Sequence, residues 1–503
     1  MVCSKKPKIV LVPYPAQGHV TPMIQLATVL YDRGFQPIIV VPAFIYRRIV
    51  AKLDERSSKI IFMSIPDGLD KENYDFFSVN YSMENVMPTH LELKIQSLQE
   101  DDDYRGNVCL VVVDLLASWA IEVAACCTVP VAGFWPAMLA TYKLIEAIPD
   151  LIQQGYISEF VIPIFSNFVF IRKYEASSRW KSSKSRKRML FTGPTIVDHE
   201  TFIPWLIGNP SSQKQRFMFW SRILERSRNL KWLLVNSFME DNFDNYYSYD
   251  SQTINQSHHQ KIDSVQQSSD HPRIFRVGPL TGHDTKLTKA LTFWDEDRSC
   301  LDGLAKQKKS SVIYVSFGSW IGPIGQEKIS ELALGLENTK SPFIWVLGST
   351  WRDGLPDGFL DRIRDIGKIV SWAPQKEVLQ HSAVGCYLTH CGWNSTVEAI
   401  QCGKKLLCYP VAGDQFVNCT YIVDVWGIGA KMNGIRKSDV EEGVKRVMKG
   451  KRSEDMEDKI MKMKVRLNGE ALCSRAVSNL TDFLDQIKKS TVVDSPDKLM
   501  FSL

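Results

Sequence analysis

What the chain lacks narrows it first. No C-x-x-C pair occurs, and the eleven cysteines are an odd number spread over 503 residues. That is not a disulfide framework, and thiols kept reduced fit a cytoplasmic protein. Cys386, His390 and Cys391 lie close in sequence, but their spacing matches no standard zinc site. No apolar run is long enough for a bilayer. The best candidate, residues 160–171, is about 12 residues, broken by Pro163, Ser166 and Asn167, where roughly 20 are needed. Lys5, Lys6 and Lys8 lead into an apolar run, 9–12, too short for the core of a signal peptide. No repeat of about 20–50 residues is evident. No G-x-G-x-x-G follows the first strand-like run, which argues against a nicotinamide-dependent oxidoreductase.

Excess charge is also scarce. The net charge of +5 is local, because residues 172–188 hold eight basic residues against one glutamate, a net of +7. This stretch, within a segment from 160 to about 193 that reads as neither helix nor strand, looks foreign to the rest of the chain. It reads as a solvated basic loop, an import or RNA-binding patch, or translated intron.

What remains is ordinary for a globular protein: 44% hydrophobic and 23% charged residues, in a chain too long for one core. Apolar runs at 9–12, 38–41, 60–65, 108–113 and 129–134 alternate with helical patterns, with a late strand expected at 233–236. That alternation predicts βαβ units and a parallel sheet buried on both faces. After a polar connector at 246–271, a second α/β run occupies 312–315, 329–336, 343–346 and 369–370. Helices are expected at 437–448, 454–467 and 477–487. Two doubly wound domains facing across a cleft is the economical architecture.

Residues 372–415 concentrate the chemistry. An apolar strand (384–388) leads to His390, a turn at Gly392, and Asn394 and Ser395, with Glu398 three residues after Ser395. Ser-x-x-Glu before apolar residues marks a helix N-terminus, whose free N–H groups suit a phosphate, although the same residues also read as a plain capping box. Trp372 can stack a planar base. Gln375, Asp414 and Gln415 fall at the carboxyl edge of the same sheet, where open α/β sheets bind ligands.

In the first half, His19 falls on the loop after the first strand, a loop made by Pro13, Pro15, Gly18 and Pro22, and Asp114 ends the 108–113 strand. Each alone reads equally well as a loop histidine and a turn former. Together they could form a base and the carboxylate that fixes its tautomer.

The 44 residues 372–415, ending Y-P-V-A-G-D-Q, resemble the signature box of plant family 1 UDP-glycosyltransferases, and Pro13-Tyr14-Pro15-Ala16-Gln17-Gly18-His19 resembles that family's P-x-P-x-Q-G-H. The resemblance implies a GT-B architecture of two Rossmann-like domains. Residues 1–245 would bind the acceptor, with 160–195 an atypical basic insertion, and 246–300 would be a linker. Residues 301–465 would bind the UDP-sugar, 466–488 would be a helix packing back on the first domain, and 489–503 a tail.

In site terms it implies Trp372 and the backbone at Ala373 on the uracil, Gln375 and Glu398 on the ribose, and Asp414 and Gln415 on the sugar. His390, Gly392, Trp393, Asn394 and Ser395 would hold the diphosphate, with Ser319 assisting, and His19 with Asp114 would form the catalytic pair. A closing glutamine implies UDP-glucose. The implied reaction is inverting transfer to a hydroxyl or carboxyl of a small hydrophobic acceptor, giving a β-glucoside. The alternative is a UDP-sugar binder disabled by the insertion.

No cofactor and no metal are expected. Asp101-Asp102-Asp103 and Asp295-Glu296-Asp297 resemble metal-binding triplets but sit in charged, turn-like surroundings. A cytoplasmic monomer is expected, without nucleic-acid or integral membrane partners. Departures from the family pattern are Lys404–Lys405, Ala412, expected to leave room near the sugar, and Gly303, expected to loosen packing where tryptophan is usual.

Overall fold

In a computed structural model of the protein, the described residues are 6–50, 59–69, 75–100, 108–153, 169–170, 197–198, 210–238, 272–280, 293–318 and 325–493. Ser319, Asp101–Asp103, the basic run 172–188 and the connector 246–271 lie outside them.

Two wholly parallel sheets carry the fold. The first is built from β1 (Lys8–Val12), β2 (Gln36–Pro42), β3 (Ile61–Ile65), β4 (Val108–Asp114) and β5 (Val131–Trp135). A short antiparallel pair, β6 (Val169–Phe170) with β7 (Val197–Asp198), stands apart, and β8 (Trp232–Val235) and β9 (Arg273–Arg276) complete the sheet in the order β3-β2-β1-β4-β5-β8-β9. The second sheet takes β10 (Val312–Ser316), β11 (Phe343–Val346), β12 (Gly367–Val370), β13 (Val384–Thr389), β14 (Lys405–Cys408) and β15 (Gly429–Lys431), ordered β12-β11-β10-β13-β14-β15. Central strands such as Lys-Ile-Val-Leu-Val in β1 are buried throughout, because helices cover both faces of a parallel sheet.

Strand alternation divides the second sheet's packing. Tyr314 and Ile344 join a core continuous with the first domain, while Ile313, Val315, Phe343 and Trp345 face a separate one.

Several expectations need correction. Part of the expected linker, β9, is the edge strand of the first sheet, paired in parallel with β8. Four residues flanked by arginines give a periodicity too short to register. The stretch read as neither helix nor strand contains β6, whose partner β7 lies beyond that window. Gly303 leaves no hole, since it is exposed and a Cβ there would meet nothing within 4 Å. The two unusual lysines are accommodated: Lys404 Nζ donates to the carbonyls of His381 and Val384 at 2.9 Å, and Lys405 Nζ reaches Ser453 Oγ at 2.9 Å and Glu457 at 3.1 Å.

The expected return of the chain's end to the first domain is observed, on a longer helix, Glu470–Val493. Phe483 meets Trp232 and Phe275 edge-on, Trp232 Nε1 donates to Gln486 Oε1 at 2.9 Å, and Asn479 Nδ2 donates to the Arg276 carbonyl at 2.8 Å.

Candidate active site

Strand order places the site. In each sheet the order reverses between two adjacent central strands, β1 and β4 in the first and β10 and β13 in the second. Ligands bind outside the carboxyl ends of strands at such points. His19 follows β1, Asp114 ends β4, Gly318 follows β10 and His390 follows β13.

His19 is not on a loop. Helix Gln17–Asp32 begins before it and contains Pro22, so His19 sits in the first helical turn. The prolines that suggested a loop are compatible with this start: Pro22 forgoes one N–H bond and crowds the carbonyl four residues back, but that carbonyl is used elsewhere. The Pro22 nitrogen would have bonded the Gly18 carbonyl four residues back. That carbonyl instead accepts Asn394 Nδ2 from the second domain at 2.8 Å. Gln17 Oε1 accepts the Phe293 N–H at 2.8 Å, a second tie to this turn.

His19 Nδ1 lies 2.8 Å from Asp114 Oδ2, with the carboxylate wholly buried and the imidazole 22% exposed. The other carboxylate oxygen accepts the Leu116 N–H at 3.0 Å, capping the turn Leu115–Ala117. A carboxylate only accepts, so Nδ1 carries the proton and Nε2 keeps its lone pair for an incoming hydroxyl. Tyr14 stands edge-on to the imidazole at 5.1 Å. Burial, then the Asp114 charge, drives its phenol well above the ordinary range and keeps it neutral.

Opposite stands the tip of helix Trp393–Cys402. Gly392 caps it, so Ser395 and Glu398 lie inside the helix and form no capping box. The turn before it is strained, with Cys391 at φ 66°. Thr389 Oγ1 accepts the Cys391 N–H at 3.1 Å and Asn418 Nδ2 donates to its carbonyl at 2.9 Å, which holds that conformation. The first-turn N–H groups have no intrahelical partner and form an anion site.

His390 is buried, and burial pulls its pKa down to about 4, so the ring is neutral at neutral pH. Its ring needs two glycines: a Cβ on Gly318 or Gly392 would stand 2.7 or 2.5 Å from Nε2. The Trp393 side chain does not face this site. Its indole donates to the Asn236 carbonyl at 2.7 Å and stacks on Phe238, so only its backbone N–H is placed for a phosphate.

The remaining candidates form two groups. Gln375 Nε2 donates to Ser395 Oγ at 3.0 Å and Glu398 Oε2 at 2.8 Å, while its Oε1 accepts the hydroxyls of Tyr314 and Tyr387. Trp372, followed by buried Ala373, packs at 6.0 Å against Trp294, and its carbonyl accepts the Asp297 N–H. At the end of the stretch Gln415 Oε1 accepts the N–H groups of Val411 and Ala412 at 2.9 Å, leaving its amide nitrogen as a donor. Burial raises Asp414 to about 6, while a 2.8 Å bond from Asn418 Nδ2 and the charge of His19 work the other way.

Sequence reasoning missed Trp294, Asn418, Tyr314 and Tyr387. Only Asn418 left a local signal, four residues after Asp414 on a helix. It also missed a buried contact among the thiols of Cys391, Cys408 and Cys419, within 4.8 Å of one another beneath the turn. Neither Cys386 nor His390 belongs to that group. Asp297, in one of the carboxylate triplets, accepts the Ser299 N–H at 3.0 Å, just ahead of the helix Ser299–Leu304.

Known proteins resemble the chain along most of its length. The family model for "UDP-glucoronosyl and UDP-glucosyl transferase" matches residues 298–465. UDP-glycosyltransferase 82A1 of Arabidopsis thaliana is 45% identical over 487 residues, covering 93% of this chain and 98% of the relative. The 7-deoxyloganetin glucosyltransferase of Catharanthus roseus is 30% identical, covering 92% of each chain. Among solved structures, an anthocyanidin 3-O-glucosyltransferase in complex with UDP aligns with a TM-score of 0.75 at 21% identity, over 96% of this chain and 99% of that one. Phytolacca americana UGT2, complexed with UDP-2fluoro-glucose and pterostilbene, aligns at 0.72 and 22% identity, over 96% and 99%. These two share the GT-B fold of paired Rossmann-like domains. With near-half identity to a relative along almost its whole length, the chain belongs to the plant family 1 UDP-glycosyltransferases.

Proposed function

We propose that the protein moves glucose from UDP-glucose to a hydroxyl of a small acceptor, with inversion, giving a β-glucoside and UDP. The observation that carries this reading is the His19–Asp114 pair opposite the Gly392–Ser395 helix tip, the two bridged by Asn394 Nδ2 on the Gly18 carbonyl. The acceptor proton passes to His19 Nε2. The acceptor oxygen then bonds the anomeric carbon as the bond to the diphosphate oxygen breaks on the opposite face. Asp114 stabilises the imidazolium so formed. Charge gathering on UDP is met by the helix-tip N–H groups and by His390, donors already fixed in place.

Trp372 with Trp294 would flank the uracil, with backbone at Ala373 against its edge. Gln375 and Glu398 would take the ribose, and Asp414 and Gln415 the glucose hydroxyls. No metal is assigned to this chemistry, since the donors that would meet the leaving charge belong to the chain. Full activity in excess chelator is the expected result, and loss of activity there would count against it.

Support for a cytoplasmic setting is the ten described cysteines, all present as free thiols. No helix among the described residues is long and apolar enough to cross a membrane. A binder without catalysis gains no support from a catalytic pair held in register.

The test is turnover of UDP-glucose with a panel of phenolic, terpenoid and other hydroxylated acceptors. His19→Ala should lower kcat by about 10²–10⁴-fold while UDP affinity, followed by calorimetry, stays within about twofold. A His19→Ala protein as active as the parent would refute the assignment.

A further inference from the structure

One cation near the carboxyl edge of the first sheet has no carboxylate partner among the described residues. Helix Pro210–Ser227 feeds β8, so its early turns lie at that edge. It packs on the turn Leu115–Ala117 that follows Asp114. Beside it runs helix Phe76–Asn85, which begins after β3 at the same edge.

Three arginines of the first helix meet this neighbour differently. Arg222 and Arg226 approach Glu84 at 3.7 and 2.9 Å, and Arg226 also takes Glu122 at 3.1 Å. Arg216, nearer the edge, finds rings in place of carboxylates: its guanidinium carbon stands 4.7 Å from the Phe76 centroid and 5.7 Å from that of Phe77. Phe76 is edge-on to both Phe77 and Phe219. Among the described residues no carboxylate pairs with Arg216, and its buried Nε has no hydrogen-bond acceptor.

Stacking satisfies the faces of a guanidinium and leaves its in-plane N–H groups to hydrogen-bond elsewhere. Burial lowers the pKa of Arg216 and the nearby Tyr14 phenol opposes that shift, yet an arginine remains charged at neutral pH. Tyr14 in turn abuts His19, so the guanidinium belongs to the neighbourhood of the catalytic pair. Asp114, the carboxylate there, is engaged by His19 and the Leu116 N–H.

We infer that Arg216 is an anion subsite of the acceptor pocket, taking the carboxylate of an aromatic hydroxy acid while a hydroxyl of the same molecule meets His19. The inference rests on the transferase reading and adds the acceptor class to it. The carboxylate is a handle and not the nucleophile, because a carboxylate needs no base and His19–Asp114 is arranged to accept a proton. Phe76 and Phe77 provide the flat apolar wall for the acceptor's ring, and the guanidinium provides two parallel donors for its carboxylate.

The experiment uses the full chain saturated with UDP and titrated with a hydroxycinnamic acid or its methyl ester, read by calorimetry. The parent, Arg216→Met and Arg216→Lys are compared, and the same compounds are then run with UDP-glucose. The parent should bind the acid about tenfold tighter than the ester, the increment of one charge-assisted pair. Arg216→Met should lose that preference while binding the ester unchanged, which also shows that it folds. Arg216→Lys should keep part of the preference, since it retains charge without the fork. In turnover the loss should fall on KM for the acid with kcat nearly constant, and the product should survive mild alkali as a phenolic glucoside. Equal binding of acid and ester by the parent, an Arg216→Met protein that keeps the preference, or an alkali-labile acyl glucoside would each overturn the inference. Acid-selective binding that depends on Arg216, with no glucoside formed, upholds the subsite and sinks the transferase reading instead.

Discussion

At the scale of single residues, Asp414 makes the sharpest forecast because burial sets its pKa near 6. Two pH effects of opposite sign follow. With Asp414 holding the sugar hydroxyls as proposed, donor affinity should weaken as pH falls through about 6. In the ligand-free protein the folded pKa exceeds the ordinary 3.8, so this group's contribution to stability falls as pH rises from 3.8 through 6. Asp414→Asn should flatten both slopes, read as UDP-glucose KM and thermal midpoint between pH 5 and 7 on the scale of about one unit around that pKa. A KM slope identical to the parent's would refute this role for Asp414. The pairing of His19 with Asp114 was partly legible in the sequence, since residues at the carboxyl ends of adjacent parallel strands share an edge. Gln375's tyrosine partners were not: Tyr314 and Tyr387 lie in apolar strands, and only register across β10 and β13 pairs them.

At the scale of elements, the turn after β1 and the tip after β13 work as a pair. Pro22 looked like a helix breaker, and the stretch through it therefore read as a loop although the helix begins at Gln17. The missing N–H is what leaves the Gly18 carbonyl open to Asn394. Pro22→Ala restores a competing intrahelical donor. The helix should gain up to about 3 kcal/mol, seen as a raised denaturant midpoint. UDP-glucose KM should rise about fivefold as one interdomain hydrogen bond of ~1 kcal/mol loses its acceptor.

The glycines flanking His390 allow a cleaner test. Gly392→Ala places a methyl 2.5 Å from Nε2 and must displace the imidazole. UDP affinity should drop by roughly 2–3 kcal/mol, measured by calorimetry, with the fold retained by circular dichroism. The βαβ rhythm of both halves was readable because parallel strands buried on both faces are continuously apolar. Boundaries slipped where capping geometry decided them: Gly392 in place of Ser395, and a helix from Gln17 where a loop was expected.

At the scale of the whole molecule, the helix Glu470–Val493 ties the end of the chain to its first sheet. Phe483 is fully buried between Trp232 and Phe275. Phe483→Ala should destabilise the protein by about 3–5 kcal/mol, seen as an earlier denaturant midpoint. The first domain should lose its fluorescence signature along with the second, although the substitution lies in neither domain's own sequence. The helix itself was foreseeable from its periodicity, whereas its seat was not, because β9 hides in a stretch that reads as connector. This docking also orders events during synthesis. Trp232 and Phe275 emerge from the ribosome long before Phe483 does, so a sticky aromatic face on the leading domain stays uncovered until the helix Glu470–Val493 has been made. Nascent chains stalled before Glu470 should therefore recruit holdase chaperones, and released full-length chains should shed them.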